Sequence, residues 1–268
     1  MANLALDGLE QELKSIKLSR PKKIHLIRYA DDFVVTAASK EVLENEVKPV
    51  VERFLKERGL YLSTEKTSII HIDRGFDFLG FNIRKYKWKL LIKPSRDSIK
   101  RFLKKIRSLI KSRKTVEAWR LIGELNPKIT GWGNYYKHVI SSKVFGYIDD
   151  CIYRCVARWT KRRHNNKNKH WIAKKYFCRK GLSNWVFFGT YSNKKGGKVE
   201  KTLKKMGSFS IERHIKIKKE ARLYDPEFSN YFAKRKQRRD EKLYHNHLTS
   251  NLSLFGMDVY NPKTTSRS

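Results

Sequence analysis

Two adjacent carboxylates, Asp31 and Asp32, stand between two short runs of strand-forming residues. Residues 24–27 (Ile-His-Leu-Ile) precede them and residues 33–36 (Phe-Val-Val-Thr) follow them. Apolar and β-branched residues on both sides of a short polar break predict a β-hairpin with the acids at its turn. Like charges repel, and a buried carboxylate needs a partner, so the pair does not help folding. Carboxylate oxygens suit hard divalent cations, and a solvated turn is the alternative interpretation.

Charge is distributed unevenly along the 268 residues, which carry a net charge of +35. Residues 1–93 have 18 basic and 13 acidic side chains, a net charge of +5, whereas residues 94–268 have 43 and 13, a net charge of +30. This asymmetry predicts a polyanionic partner for the second part. An anionic membrane is the competing partner, but no segment approaches the ~20 continuous apolar residues of a spanning helix.

The start of the sequence shows no basic segment followed by an apolar run, so we expect no secretion. The three cysteines cannot all pair, which fits a reducing compartment. We therefore expect the protein in a bacterial cytoplasm or an organellar matrix, with no membrane partner.

Hydrophobic spacing predicts a helix after the hairpin, with Ser39 as its N-cap, a kink at Pro49 and an end at Gly59. Strands are predicted next, over residues 68–72 and 76–85, with a further hairpin through residues 88–92. From Pro94 onwards apolar residues recur at helical spacing with cationic residues around them, as in a helical bundle. The predicted helices cover residues 99–111, 116–125, 129–139 and 145–163, and a short basic helix runs to about residue 180.

Strand patterns return at residues 185–191, where the chain is aromatic and β-branched, with a hairpin tip at residues 194–198. Residues 211–218 alternate loosely. The remainder is polar and weakly patterned, so we predict a helix at most near residues 227–242 and a frayed tail after it.

Several motifs occur in an order that resembles group II intron-encoded reverse transcriptases, which are also maturases. Tyr29-Ala30-Asp31-Asp32 resembles their catalytic hairpin, and residues 59–67 resemble the block that follows it. Residues 76–81 (Phe-Asp-Phe-Leu-Gly-Phe) resemble the primer-gripping segment. Residues 131–136 and 171–177 are similar to the maturase-specific domain, often called domain X. The resemblance covers nearly the whole chain.

The resemblance implies an α+β protein in three parts. Residues 1–93 would form a partial polymerase palm of a β-hairpin, a helix and strands. Residues 94–180 would form domain X, the helical thumb. Residues 181–268 would form a small, basic β and coil extension that is DNA-binding-like and ends in a disordered tail.

In this family, nucleotidyl transfer uses two metal ions held by three aspartates. Asp31 matches the principal catalytic and Mg²⁺ ligand of the hairpin, and Asp32 matches its neighbour. The third aspartate lies in an earlier block, and we expect that block and the fingers to be absent, so that Mg²⁺ binds weakly to this chain in isolation. The primer grip would comprise Phe78, Leu79, Gly80 and Phe81; a core strand with a glycine bulge is the alternative.

Aromatic and cationic residues of the second part are candidates for RNA contact, because aromatic faces stack on unpaired bases and cations hold phosphates. Trp132 is expected in the core. The candidate RNA-binding residues are Tyr135, Tyr136, Lys137, Lys161, Arg162, Arg163, Lys174 and Lys175. A second basic group resembles the start of the family's DNA-binding segment, and its residues are Lys234, Arg235, Lys236, Arg238 and Arg239.

Two further signals are weak. His245-Asn246-His247 spells HNH, but that nuclease motif is dispersed over a whole metal-binding fold, and no cysteine follows Cys178 here. Cys151 and Cys155 are four residues apart on a predicted helix, where a buried helical cysteine is commoner than a zinc ligand. We expect neither nuclease activity nor zinc.

The function that these features predict is binding of group II intron RNA in support of splicing. Target DNA stays open as a second partner. Two alternatives stay open. The chain could be a reverse transcriptase subunit that works only with a separate N-terminal polypeptide supplying the fingers, or a non-functional remnant. Because the family's sequence would continue upstream of Met1, we also expect a truncated or split reading frame.

Overall fold

The computed structural model describes residues 6–16, 24–181, 183–193, 196–212, 217, 221, 225–238 and 241. The chain divides into two compact units, residues 1–95 and residues 96–268. Helices and small antiparallel sheets occur in both, so the predicted α+β class is confirmed. None of the helices in the described ranges combines the length and apolar composition that a membrane-spanning segment requires.

The first unit is built around a hairpin and two helices. Helix α1 is Leu9–Ser15, and strands β1 (His25–Tyr29) and β2 (Asp32–Thr36) pair antiparallel, with Leu26 opposite Val35. The side chains of Leu26, Phe33 and Val35 pack on a core of buried apolar residues from the two helices and the turn before α1. These core residues are Leu6, Leu9, Leu13, Val42, Val47, Val51, Phe54 and Leu55.

Helix α2 has three parts: an α-helical turn Lys40–Val42, a π-helical segment Leu43–Val47 and an α-helix Lys48–Lys56. Ser39 is its N-cap position, as predicted. Pro49 has no N–H to donate and its ring would clash with the carbonyl four residues back, and the helix widens into the π segment immediately before it. Gly59, with φ +68°, follows the helix and donates its N–H to the Lys56 carbonyl, 3.0 Å away.

A second sheet of the first unit contains β3 (Phe76–Phe78), β4 (Phe81–Tyr86) and β5 (Lys89–Pro94) in the order of the sequence. The predicted hairpin near residues 88–92 is confirmed as β4–β5, which turns at Lys87-Trp88. The prediction of one strand over residues 76–85 is wrong, because Leu79 and Gly80 form a two-residue turn within it. Residues 68–72 form no strand either.

The second unit begins with three long helices, α3 (Arg96–Ser112), α4 (Ala118–Tyr136) and α5 (Ser142–Arg163). The prediction of two helices separated at Pro127 is wrong, since α4 runs through that residue. Apolar burial on both sides of Pro127 offsets the hydrogen bond that proline cannot make. The residues buried on α4 are Leu121, Ile122, Leu125, Ile129, Gly133 and Tyr136.

A short helix and a three-stranded sheet complete the second unit. Helix α6 is Lys169–Tyr176, and it leads directly into β6 (Phe177–Lys180), so the predicted helix to residue 180 ends four residues early. Strands β7 (Ser183–Ser192) and β8 (Lys198–Thr202) form the predicted hairpin, although residues 194 and 195 of its tip lie outside the described residues.

The sheet and the segment after it are packed against the helices. The Asn126 side chain of α4 donates to the Thr202 carbonyl and accepts from the Lys204 N–H, both at 2.9 Å. Met206 is fully buried, and Phe209 packs on Gly133 and Phe145. Met206 and Phe209, in the segment after β8, therefore share the core of α4 and α5.

Towards the C-terminus, a 3-10 turn Pro226–Phe228 precedes a helix over residues 229–238. This confirms the helix predicted near residues 227–242 as far as residue 238. The predicted tail and residues 245–247 lie outside the described residues, as does most of the 211–218 segment.

Candidate nucleic-acid interface

The loop of the first hairpin carries the two predicted metal ligands. Tyr29 and Asp32 are the last paired residues, so Ala30 and Asp31 form a two-residue turn. Ala30 has φ +55°, a left-handed conformation that costs an alanine about 1–2 kcal/mol. Asp31 lies in the turn and Asp32 begins β2, and both are exposed. The predicted position of the acids at the turn is confirmed.

Neither Asp31 nor Asp32 forms a salt bridge with any residue that the structure describes. Four carboxylate oxygens at one hairpin end are a suitable donor set for a hard cation such as Mg²⁺. Among the described residues, no group of three or more His, Cys, Asp or Glu side chains is placed to hold a metal ion.

The predicted primer-grip residues lie at the β3–β4 turn. Phe78 pairs with Phe81, and the turn between them has left-handed φ angles at Leu79 (+50°) and Gly80 (+79°). Two positive φ angles are typical of the tight turns that connect antiparallel strands. The Gly80 carbonyl accepts a hydrogen bond from the Ser95 N–H at 2.8 Å. Gly80 is therefore a turn residue rather than a bulge within a strand.

The three aromatic residues at the end of α4, Trp132, Tyr135 and Tyr136, differ in how far they are buried. Trp132 stacks on Phe102, with ring centres 5.1 Å apart, as expected of a core residue. Tyr136 is only 4% exposed and packs on Trp132, so its ring belongs to the core, whereas Tyr135 is 50% exposed. The Lys137 ammonium forms an ion pair with Glu212 at 3.2 Å. Of this group, Tyr135 presents the most open aromatic surface.

The end of α5 and helix α6 bring together a tryptophan, a histidine and several cations. The Trp171 ring has the Lys175 ammonium 4.6 Å from its centre and the Lys167 ammonium at 5.7 Å, and the His164 ring meets it edge-on at 4.8 Å. The His164 Nε2 atom lies 2.7 Å from the Tyr176 hydroxyl. We call these five residues the Trp171 site.

Local sequence explains how the Trp171 site forms. Asn168 is the N-cap of α6, and its side-chain oxygen accepts the Trp171 N–H at 2.8 Å. This cap sets the first turn of α6, so that Trp171 and Lys175, four residues apart, lie on one face. Trp171 is 37% exposed, which leaves part of the indole open to a ligand.

Cationic side chains around the Trp171 site divide into structural and exposed groups. Arg163 donates to the Val116 carbonyl at 2.7 Å and lies over the Trp159 ring, so it fixes α5 to the loop that precedes α4. The remaining cations predicted here are exposed, and they are Lys161, Arg162, Lys174 and Lys175. These four are available to bind phosphates.

The environment of His164 favours the neutral form of its imidazole. Burial lowers the pKa of His164 below its usual 6.5, and the nearby positive charges of Lys175, Arg163 and Lys167 lower it further. A neutral ring can either donate or accept the hydrogen bond with the Tyr176 hydroxyl, depending on its tautomer, while its edge faces Trp171.

Sequence reasoning missed Trp171 and His164 as site residues. The signal available was a tryptophan with lysines at positions 167, 174 and 175, which is aromatic interleaving within a basic stretch. The predicted DNA-binding residues Lys234, Lys236 and Arg238 are exposed on the helix over residues 229–238, and Arg235 is partly buried there. Arg239 lies outside the described residues.

Two family models match the chain. Residues 1–83 match the model described as reverse transcriptase (RNA-dependent DNA polymerase), and residues 99–177 match the maturase-specific domain of group II introns. No curated protein matches the chain. The first match covers the acid-tipped hairpin, and the second covers the three long helices and the Trp171 site.

The first match places residues 1–83 in the reverse transcriptase class. Because the maturase-specific domain follows it in the same chain, the protein is a group II intron maturase-type protein. This confirms the family predicted from the motifs. The maturase-specific domain implies binding of group II intron RNA.

Proposed function

We propose that the protein binds group II intron RNA through the Trp171 site and its exposed cations, and that this binding stabilises the folded intron so that splicing proceeds. The observation that carries the proposal is a partly open tryptophan with two ammonium groups within 6 Å of its ring. Unpaired bases stack on such a ring, and Lys161, Arg162, Lys174 and Lys175 neutralise the phosphates beside it.

Charge supports RNA rather than a small anion as the partner. Residues 94–268 carry 30 more basic than acidic residues, far more than one phosphate group requires. Folded RNA presents many phosphates together with unpaired loop bases, and a protein that combines cations with open aromatic rings matches both features.

The test is a salt series of affinity measurements on a group II intron transcript. The site variant replaces Lys161, Arg162, Lys174 and Lys175 with glutamine, which removes four positive charges. The matched control removes four exposed positive charges from α3, at Lys100, Arg101, Lys104 and Lys105. Each phosphate contact contributes ~0.7–0.9 to the slope of log affinity against log salt.

We expect the site variant to lose about 3 from this slope and to bind at least about a hundredfold more weakly near physiological salt. The α3 control should change both quantities much less, and splicing of the transcript should fall only with the site variant. Equal losses in the two variants would mean that the net charge acts without a site, and the proposal would then fail.

A second activity, RNA-directed DNA synthesis, is favoured by Asp31 and Asp32 at the hairpin turn within the reverse transcriptase match. These residues would hold Mg²⁺, which in this chemistry activates the attacking oxygen and stabilises the leaving pyrophosphate. Asp31→Ala distinguishes the two activities. It should abolish any primer extension and leave RNA affinity and splicing unchanged, because the Trp171 site is in the other unit.

Contact with target DNA is a further part of this proposal. Exposed Lys234, Lys236 and Arg238 lie within five residues of one helix, which supports phosphate binding along one stretch of backbone. Their replacement with glutamine should reduce affinity for duplex DNA more than affinity for the intron transcript.

A further inference from the structure

The β4–β5 hairpin holds the whole charge excess of the first part of the chain. Residues 1–93 have a net charge of +5, and this hairpin has five cations with no acidic residue between Asp77 and Asp97. The five are Arg84, Lys85, Lys87, Lys89 and Lys93. The rest of that part is electrically balanced, so the positive charge is concentrated on one small element.

One face of the hairpin combines these cations with an open aromatic ring. The strand register places Asn82, Arg84 and Tyr86 of β4 on the same face as Lys89, Leu91 and Lys93 of β5. Tyr86 is 39% exposed, with the Arg84 guanidinium carbon 4.8 Å and the Lys93 ammonium 4.7 Å from its ring centre. The opposite face is more apolar and contains Ile83, Leu90 and Ile92 together with Lys85.

The turn of the hairpin presents a second aromatic ring. Trp88 is 81% exposed and has the Lys87 ammonium 5.9 Å from its ring centre. A tryptophan this open contributes little burial to the fold, and Lys87 beside it has a left-handed φ of +54°, which costs a lysine energy. The left-handed φ of Lys87 belongs to the tight turn that connects β4 and β5, but the exposure of Trp88 is not explained by the stability of the unit.

We propose that Arg84, Tyr86, Trp88, Lys89 and Lys93, which we call the hairpin face, form a second RNA site that prefers single strands. Lys89 and Lys93 would neutralise neighbouring phosphates, while Tyr86 and Trp88 would stack on unpaired bases. Arg84, whose Nε donates to the Asp73 carbonyl at 2.7 Å, would position the Tyr86 ring. The proposal deepens the proposed function, since it rests on the chain being an RNA-binding protein. It adds a site in the first unit, separate from the Trp171 site.

RNA fits this face better than a protein partner does. A docking surface for another protein buries a mainly apolar centre, whereas here three cations surround one tyrosine on the face itself. Base stacking also needs an aromatic plane, whereas a protein interface needs only an apolar side chain. Replacing Trp88 with leucine or with phenylalanine distinguishes the two.

The experiment measures the affinity of the full chain for a 20-nucleotide oligouridylate and for a 20-base-pair RNA duplex. Trp88→Leu removes the aromatic plane but keeps an apolar side chain, and Trp88→Phe keeps the plane. Leu90→Ala, on the opposite face of the same hairpin, is the matched control. Because Trp88 and Leu90 are both exposed, these variants should fold, which circular dichroism checks.

We expect Trp88→Leu to weaken binding of the single strand about tenfold and binding of the duplex less than about threefold, with Trp88→Phe close to the parent. A Lys89→Gln/Lys93→Gln variant should lower the single-strand salt slope by about 1.4. If Trp88→Leu leaves oligouridylate affinity unchanged, or if Leu90→Ala lowers it equally, the hairpin face is not an RNA site.

Failure of this proposal can be told from failure of the proposed function. The glutamine variant at Lys161, Arg162, Lys174 and Lys175 is measured on the intron transcript in the same series. If that variant loses affinity while Trp88→Leu does not, the hairpin face alone is refuted. If neither variant loses affinity for its RNA, the proposed function is refuted as well.

Discussion

Gly189 of β7 lies directly against the backbone of Trp119 at the start of α4. A Cβ atom at Gly189 would meet that backbone and would come within 2.9 Å of the Ala118 side chain. The Trp119 ring also stacks on Tyr191, with ring centres 4.8 Å apart. Strand β7 thus packs on the first turn of α4, and this contact attaches the sheet to the helices of the second unit.

Gly189→Ala should therefore separate β7 from α4. Neither backbone can yield without disturbing its own hydrogen bonds, so we expect a loss of about 2–3 kcal/mol in the free energy of unfolding, measured by urea denaturation. Gly131→Ala on α4 is the control, since nothing lies within 4 Å of a Cβ there. It should stabilise the helix by about 0.5–1 kcal/mol, and a loss at Gly131 would contradict this account.

Asp149 of α5 should be needed to hold the segment after β8. Its carboxylate accepts the Met206 N–H at 2.6 Å and the Gly207 N–H at 2.8 Å. Burial raises the pKa of Asp149, while the two amide donors act in the opposite direction. We expect Asp149→Ala to cost about 2 kcal/mol and to speed hydrogen exchange of the Met206 and Gly207 amides.

The neighbouring acid gives a matched control for Asp149. Asp150 is exposed and pairs with Arg154 one turn along α5. Because exposed ion pairs contribute little, Asp150→Ala should cost less than about 0.5 kcal/mol and leave those amides protected. Similar exchange rates in the two variants would show that Asp149 does not anchor the segment.

The helices and hairpins were predictable where a local pattern decides them. Strand-forming residues around Asp31-Asp32 predict a hairpin with the acids at its turn, and Gly59 ends its helix as expected. Prediction failed where a local signal was outweighed by packing. Pro127 normally interrupts a helix, yet apolar contacts on both sides of it and the Asn126 hydrogen bonds to β8 keep α4 continuous.

The candidate site was predictable in its chemistry and less so in its members. The basic runs at residues 161–163 and 174–175 indicate phosphate binding. The sequence does not reveal that the Arg163 guanidinium donates to a backbone carbonyl or that Tyr136 is buried. The assignment of Trp171 to the site depends on its contacts with Lys167, Lys175 and His164, which only the structure shows. Such assignments depend on contacts between α5 and α6.

Trp171 should contribute to RNA affinity through its aromatic plane. A stacked base is worth ~1–3 kcal/mol, so Trp171→Leu should weaken binding of an intron transcript about tenfold, while Trp171→Phe should weaken it less than about threefold. Fluorescence anisotropy at fixed salt measures both. Tyr147→Leu, which alters an exposed aromatic residue of α5 outside the Trp171 site, is the control and should have no effect.

The stability of the second unit should fall in mild acid because of His164. Its pKa is lowered in the folded protein by burial and by Lys175, Arg163 and Lys167, so it lies below the value of about 6.5 expected in the unfolded chain. The unfolded chain therefore binds more protons as the pH falls through 6.5, and the free energy of unfolding decreases until the folded-state pKa is passed. Above pH 7 both states are neutral at this residue, and the effect vanishes.

His164→Gln should flatten this part of the pH profile in urea denaturation, and NMR should show a His164 midpoint below 6.5. A His164 midpoint at or above 6.5 would rule out this origin of acid sensitivity.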